Sequence, residues 1–184
     1  LFINLADPTS VPSVGGSLYA MVIVDDFLWY KVVGIVRTDN GEGFQGEFGR
    51  VLNEQTINHE HTPPDTPQYN GVAERALGLL REKTIAQQQG VAGSAKLWEE
   101  GMSYARDVSS MSVTTSIGGD MTPCKVWNGT AAPLGHLQPF RTVGYMCIPI
   151  REYKLASQRV KSIMLDVTHN LPSGTVRVPN DKTD

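Results

Sequence analysis

With 184 residues, 40% of them hydrophobic, and a net charge of −3, the chain has room for one domain with a real core plus an appendage, and its composition is that of a globular protein. No run approaches the ~18 apolar residues of a membrane helix, so no membrane partner is expected. The two cysteines, Cys124 and Cys147, make neither a disulfide framework nor a Cys-x-x-Cys zinc pair, which points to a reducing, intracellular compartment. In chain order, residues 1–8 read as a strand stopped by Pro8, and 10–17 as a Pro/Gly/Ser turn. Leu18 to Val24 is a continuous apolar run suited to a central strand, closed by Asp25-Asp26. Residues 27–31 lead almost directly into a further strand, Val32 to Thr38, and so short a link favours a hairpin.

Phe44 to Gln55 sets Phe44, Phe48, Val51 and Leu52 on one helical face, and Ile57 to Thr62 follows as a short strand. Asn70-Gly71 supplies turn and cap chemistry. From Val72 to about Gln89 the residues Val72, Ala73, Ala76, Leu77 and Leu80 recur at helical spacing. A second helix begins near Ser94, with Leu97, Trp98, Met102, Ala105, Val108 and Met111 in period, and Gly118-Gly119 breaks it. Thr122 then caps a short helix carrying Val126-Trp127. Alternating, strand-like segments follow at 143–150, 162–166 and 175–178, and residues 179–184 read as a tail. The opening without Met, inside a strand pattern and with no basic leader or cleavage site, reads as a piece of something longer.

Charge is unevenly spread. Residues 1–70 carry three Lys/Arg against nine Asp/Glu, residues 71–139 balance, and residues 140–184 carry seven against four. An autonomous, tight DNA binder shows a basic face instead. Bound cations would offset part of the acidic half.

Two segments carry chemistry. One is Arg37-Thr38-Asp39-Asn40-Gly41, where an apolar run ends in an acid and a Gly turn. The other is Thr66 to Arg75, where Glu74 lies in the first turn of a helix and its positive end favours a carboxylate. An acid at a strand end and an acid opening a helix are the parts of a carboxylate metal site. Oxygen ligands suit Mg²⁺ or Mn²⁺.

With Val24-Asp25-Asp26-Phe27 and Thr122 to Gly129, these segments resemble, in order and over nearly the whole chain, the integrase core of Copia-type LTR retrotransposons, a branch of the retroviral integrase superfamily. Thr66-Pro67-Gln68-Tyr69-Asn70-Gly71-Val72-Ala73-Glu74-Arg75 is the most specific piece. The resemblance implies an α/β, ribonuclease-H-like mixed sheet flanked by helices, truncated here, and a small C-terminal β module. It implies two divalent cations on an Asp-Asp-Glu triad, strand transfer of element ends into target DNA, homo-oligomers, and a nuclear location for a working copy. It divides the chain into a core (1–116, shortened near 27–36), a connector (117–138), the β module (139–178) and the tail.

By match, Asp39 is the second acid and Glu74 the third. The first position falls on Asn4, within Asn4-Leu5-Ala6-Asp7-Pro8, with Ser13 and Gly15-Gly16 at matching offsets. An amide oxygen can coordinate but brings no charge, so metal affinity and turnover are expected to fall by orders of magnitude. Asp7 lies three residues on, toward the other strand face, and Asp25 or Asp26 could stand in. The strand and helix that the family places before Asp39 are missing, although its sheet order needs a crossover where the short link favours a hairpin; Gly and Glu are exchanged at Glu42-Gly43, and one residue is lost between Asp39 and Glu74. Together these read as a decayed copy, with a non-catalytic remnant that binds nucleic acid or a protein as the alternative.

Arg75, Arg81 and Lys83 beside Glu74 are candidate phosphate contacts, and Tyr69 a candidate stacking residue. Gly41-Glu42-Gly43-Phe44-Gln45-Gly46 fits a dinucleotide fingerprint but lacks its tight turn and its ribose acid. His59, His61, His136 and His169 show no zinc spacing with the cysteines, and Asn128-Gly129-Thr130 has no secretory context.

Overall fold

The computed structural model describes residues 1–25, 35–39, 41, 44–63, 70–89, 95–135, 137–147, 159–167 and 176–177. At its centre lies a mixed sheet of four short strands, β1 (Phe2–Leu5), β2 (Met21–Val24), β3 (Ile35–Thr38) and β4 (Asn58–His61), in the order β2-β1-β3-β4. β1 and β2 run antiparallel, with Phe2 opposite Val24 and Asn4 opposite Val22. Their pairing continues beyond the strands through Ala6 N–H to the Ala20 carbonyl at 2.7 Å and Thr9 N–H to the Leu18 carbonyl at 2.8 Å. The turn expected between them is present: Ser13 Oγ accepts the Ser17 N–H at 3.0 Å, and Gly16 has φ of 84°, a conformation glycine adopts without strain.

The third strand departs from the hairpin expectation. β3 does not pair with β2 but lies on the far side of β1, parallel to it, with Arg37 opposite Phe2 and the Arg37 N–H on the Leu1 carbonyl at 2.8 Å. β4 then adds in parallel, with Val36 opposite His59 and Thr38 opposite His61. The physical reason is reach. Two strand spacings are about 10 Å, and the segment from 25 to 34 can span that distance without a helix. Residues 26–34, including Asp26 and the expected strand start at 32–34, lie outside the described residues. The architecture is α/β, a mixed four-stranded sheet flanked by helices, as the sequence implied.

Each face of the sheet has its own core. On one, Ile3 and Val36 pack with Phe44 and Leu52, under helix α1 (Glu47–Glu54). Phe44, Phe48 and Leu52 are four apart, which lines them up on one side of a helix. Val51, expected on that face, lies at its flank and is exposed. On the other face, helix α2 (Gly71–Gln88) buries Leu77 against Ala6 and Val22, with Ala76 and Leu80 beside them. Its buried side is Asn70, Ala73, Leu77 and Thr84. Val72 is therefore misplaced by the sequence reading: it sits about 100° round the helix from Ala73 and is exposed.

Helix α3 (Trp98–Ser110), entered through a 3₁₀ turn at Ala95–Leu97, packs on α2. Gly101 permits the close approach, since a Cβ there would stand 3.0 Å from Thr84 Cγ2. Trp98 donates to the Val11 carbonyl at 3.0 Å, holding the first turn against this helix. The helix ends at Ser110, earlier than the expected break at Gly118-Gly119; those glycines, both with positive φ, instead follow a separate 3₁₀ turn at Thr115–Ile117. Thr122 caps helix α4 (Pro123–Asn128), its Oγ1 accepting the Lys125 N–H at 3.1 Å.

The C-terminal strands form two small antiparallel pairs, β5 (Val143–Cys147) with β6 (Arg159–Ile163), and β7 (Asp166–Val167) with β8 (Val176–Arg177). Phe140, Met164 and Leu165 share a core with Leu97 and Tyr104 of α3. The expected strand ends at 148–150 and 178 lie outside the described residues. No helix among those described is long and apolar enough to cross a membrane.

Candidate carboxylate site

The position of Asn4 follows from its strand. Side chains alternate along β1, so Ile3 enters the α1-side core while Asn4 shares the α2 side with its cross-strand partner Val22. Asn4 is half-buried. Counting two residues along both strands from the Phe2–Arg37 pair sets Asn4 level with Asp39, on adjacent parallel strands. Such neighbours lie about 4.8 Å apart.

Asp39 follows β3 directly and is half-buried. Its Oδ1 accepts the Gly41 N–H at 3.0 Å, an Asx turn that bends the chain away from the sheet. A Cβ on residue 41 would stand 2.9 Å from that oxygen, so the turn depends on glycine.

Glu74 reaches this end of the sheet through Asn70. The Asn70 amide, 1% exposed, donates to the Ile3 carbonyl at 3.3 Å and so ties the start of α2 to β1 one residue before Asn4. The expected cap bond is not what its side chain makes: the N-cap position has no side-chain hydrogen bond. The competing partner, a strand carbonyl, wins because it joins two elements. The first helical bond runs from Glu74 N–H to the Asn70 carbonyl at 3.1 Å, so Glu74 stands one turn above the tether, exposed at the flank of the buried side.

The basic candidates separate. Arg81, seven residues after Glu74, lies on the same flank about 10 Å further along the axis and is exposed. Arg75 points outward with Glu82 and is exposed. Lys83 lies on the opposite flank, where its Nζ donates to Ser109 Oγ at 2.7 Å, so it serves the α2–α3 contact. Tyr69 is outside the described residues. Asp7 and Asp25 are exposed beyond the strand ends.

Sequence reasoning missed Arg37. It lies on the Asn4 side of the sheet with its guanidinium 5.2 Å over the Phe2 ring and 2.6 Å from Glu60 Oε2. A cation one strand from the candidate acids is thus already engaged by Glu60.

Among the described residues no group of three His, Cys, Asp or Glu is disposed to hold a metal ion. The donor chemistry decides the fit. One carboxylate oxygen is engaged in a turn, a second carboxylate is exposed, and the third position is a neutral amide. These residues do not supply the charge that a pair of dications requires.

The opposite side of the sheet holds a cluster that the zinc-spacing reading passed over. His59 and His61 of β4 stand with ring centroids 4.0 Å apart, and Phe48 of α1 meets His59 edge-on at 5.5 Å. The sequence signal is His-x-His within a strand, whose period of two puts both rings on one face. Burial, and then the neighbouring His61, lower the His59 pKa below its ordinary value. His136 and His169 lie outside the described residues.

No protein-family model matches the chain. It is 24% identical over 178 residues to the Retrovirus-related Pol polyprotein from transposon TNT 1-94 of Nicotiana tabacum, a match covering 81% of this chain and 13% of that polyprotein. The chain therefore spans about one-eighth of the curated relative it matches. Among solved structures it is similar to a chain of the simian T-cell lymphotropic virus intasome in complex with PP2A regulatory subunit B56 gamma. There the TM-score is 0.42 and the identity 18%, over 72% of this chain and 48% of that one. It is also similar to the catalytic core domain of BIV integrase, with TM-score 0.38 and 27% identity over 55% and 62% of the two chains. Neither superposition is close.

Proposed function

We propose that this chain, an integrase core of the retrotransposon and retroviral type, descends from a Copia-type domain that joins DNA ends to a target, and that position 4 now holds that activity down. Asn4, Asp39 and Glu74 occupy the three acid positions. The observation that carries this reading is the parallel β1–β3 register, which sets residue 4 level with residue 39 at the end of the sheet to which Asn70 tethers α2. A strand end and a helix start drawn together by two independent restraints favour an inherited site over a chance pair of acids.

The chemistry expected of an intact site is phosphoryl transfer, for which Mg²⁺ or Mn²⁺ activates the attacking oxygen and stabilises the leaving one. No step is assigned through those ions in the present sequence, because its donor set is one carboxylate short. What the chain's own residues do is positional. Gly41 and Asp39 fix the turn after β3, and Asn70 fixes the height of Glu74 above β1. Arg81, on the Glu74 flank, is the proposed contact to a DNA phosphate, with Arg75 as a secondary candidate and Tyr69 as a candidate stacking residue. The partners are DNA, as element end and target, and further copies of the chain. A nucleus is the compartment this implies.

The test compares the chain with its Asn4→Asp variant in a strand-transfer assay with Mn²⁺. Activity that appears or rises by orders of magnitude in the variant supports the proposal. Equal activity in both overturns the assigned role of position 4. No activity in either, with the fold intact by circular dichroism, overturns the strand-transfer reading and leaves a non-catalytic remnant that binds nucleic acid or a protein.

A further inference from the structure

We propose that His59 and His61 form a two-imidazole site for a borderline divalent transition ion, Zn²⁺, Ni²⁺ or Cu²⁺, on the outer strand of the sheet. This site does not rest on the integrase reading and lies on the other face from Asn4. His59 belongs with Phe48 on the α1 side, whereas Asn4 shares the α2 side with Val22.

Three observations carry it. Adjacency is the first: residues i and i+2 of a strand share a face, and the two rings stand 4.0 Å apart, tilted by 47°. The second is orientation. Thr38, 0% exposed, donates its single hydroxyl proton to the Asp39 carbonyl at 2.9 Å. In the tautomer in which that oxygen accepts from His59 Nε2 at 2.9 Å, Nδ1 keeps its lone pair, and it is this tautomer that the site requires. An imidazole held by an oxygen on one nitrogen, leaving the other as donor, is the arrangement found behind ligating histidines. Access is the third: His61 is exposed, so an ion can arrive from solvent.

Among the described residues no third His, Cys, Asp or Glu joins the pair, so water completes the coordination shell. Imidazole nitrogen suits Zn²⁺, Ni²⁺ and Cu²⁺ and is a poor ligand for Mg²⁺, which carboxylate and water oxygens take instead. That preference separates this pair from the acids across the sheet.

The experiment is calorimetric titration of the untagged full chain with Ni²⁺ in excess Mg²⁺, which occupies oxygen sites. The expected result is one bound ion per chain, at least tenfold weaker binding in His61→Ala and in His59→Ala, and about tenfold weaker binding in Thr38→Val. Bound Ni²⁺ should also raise the thermal midpoint of the native chain and not that of His61→Ala. Because His61 is exposed, that variant retains the fold, which circular dichroism verifies. Absence of binding by the folded native chain, or undiminished binding by His61→Ala, overturns the proposal. Undiminished binding by Thr38→Val overturns the oriented-imidazole argument on which it stands.

Discussion

Asn70 offers a sharp test of how the helix carrying Glu74 is held. Asparagine and aspartate are about equally good at a helix N-cap, and alanine there costs ~1 kcal/mol. If Asn70 worked as a cap, Asn70→Asp would be nearly neutral. Its side chain instead donates to the Ile3 carbonyl at 3.3 Å from a site only 1% exposed, while its own Oδ1 finds no partner among the described residues. Alanine removes one hydrogen bond, worth ~1 kcal/mol, and leaves a small cavity, but it also removes the unpaired buried acceptor, which offsets part of that loss. The net expectation is ~1 kcal/mol of destabilisation, or about 2–4 °C in thermal midpoint for a chain of this size. Aspartate cannot donate when ionised and brings a buried charge against a carbonyl oxygen, a cost of ~3 kcal/mol or more. The expected order of stability is therefore Asn above Ala above Asp. The Asp penalty should shrink at acid pH, where a protonated carboxyl can again donate to Ile3. Urea unfolding followed by circular dichroism at neutral and acid pH measures both effects. An Asp variant as stable as the native chain, with Ala alone impaired, would refute the tether and restore the cap.

Two further outcomes are expected. His59 has its pKa lowered by burial and by His61, so the unfolded chain takes up its proton before the folded one does. The stability this contributes is present above the ordinary histidine pKa and falls as pH drops below it toward the lower folded value; a histidine-resolved NMR titration should find the His59 midpoint below the ordinary histidine value, and one above it would contradict this account. Leu77, 5% exposed against Ala6 and Val22, is the pin between α2 and the sheet, and Leu77→Ala should cost ~2–5 kcal/mol in urea unfolding; a loss under ~1 kcal/mol would mean that α2 is not docked as described.

Much of the architecture could be read from residue types. Thr122-Pro123 announced its helix because a hydroxyl cap and a proline at the first position act locally, whereas α3 ends at Ser110, before the Gly118-Gly119 that marked its expected break. The period of Leu97, Met102, Ala105 and Met111 located α3. What failed were properties set by partners distant in the chain. Which side of β1 receives β3 is a tertiary choice that the short link from 25 to 34 could not reveal. Val72 and Val51 looked like core residues because periodicity gives the width of an apolar stripe but not the neighbour it meets. Asn70 looked like a cap because its alternative acceptor, the Ile3 carbonyl, is sixty-seven residues away. For the candidate site, motif order singled out Asn4, Asp39 and Glu74, while the Arg37–Glu60 pair and the Thr38–His59 bond depend on cross-strand register, which no local pattern encodes.

β1 lies between β2 and β3 in the sheet yet precedes both in sequence, and this shapes how the sheet must be made. As the polypeptide emerges from the ribosome, β1 can close on β2 once Val24 is out, which leaves Ala6 and Val22 bare until Leu77 is synthesised. For that interval the nascent chain carries a two-stranded ribbon with a greasy side and one edge still waiting for β3, a form prone to clumping. Slow translation between residues 25 and 77 would lengthen that exposure, and a chaperone that shields extended hydrophobic segments would shorten its consequences.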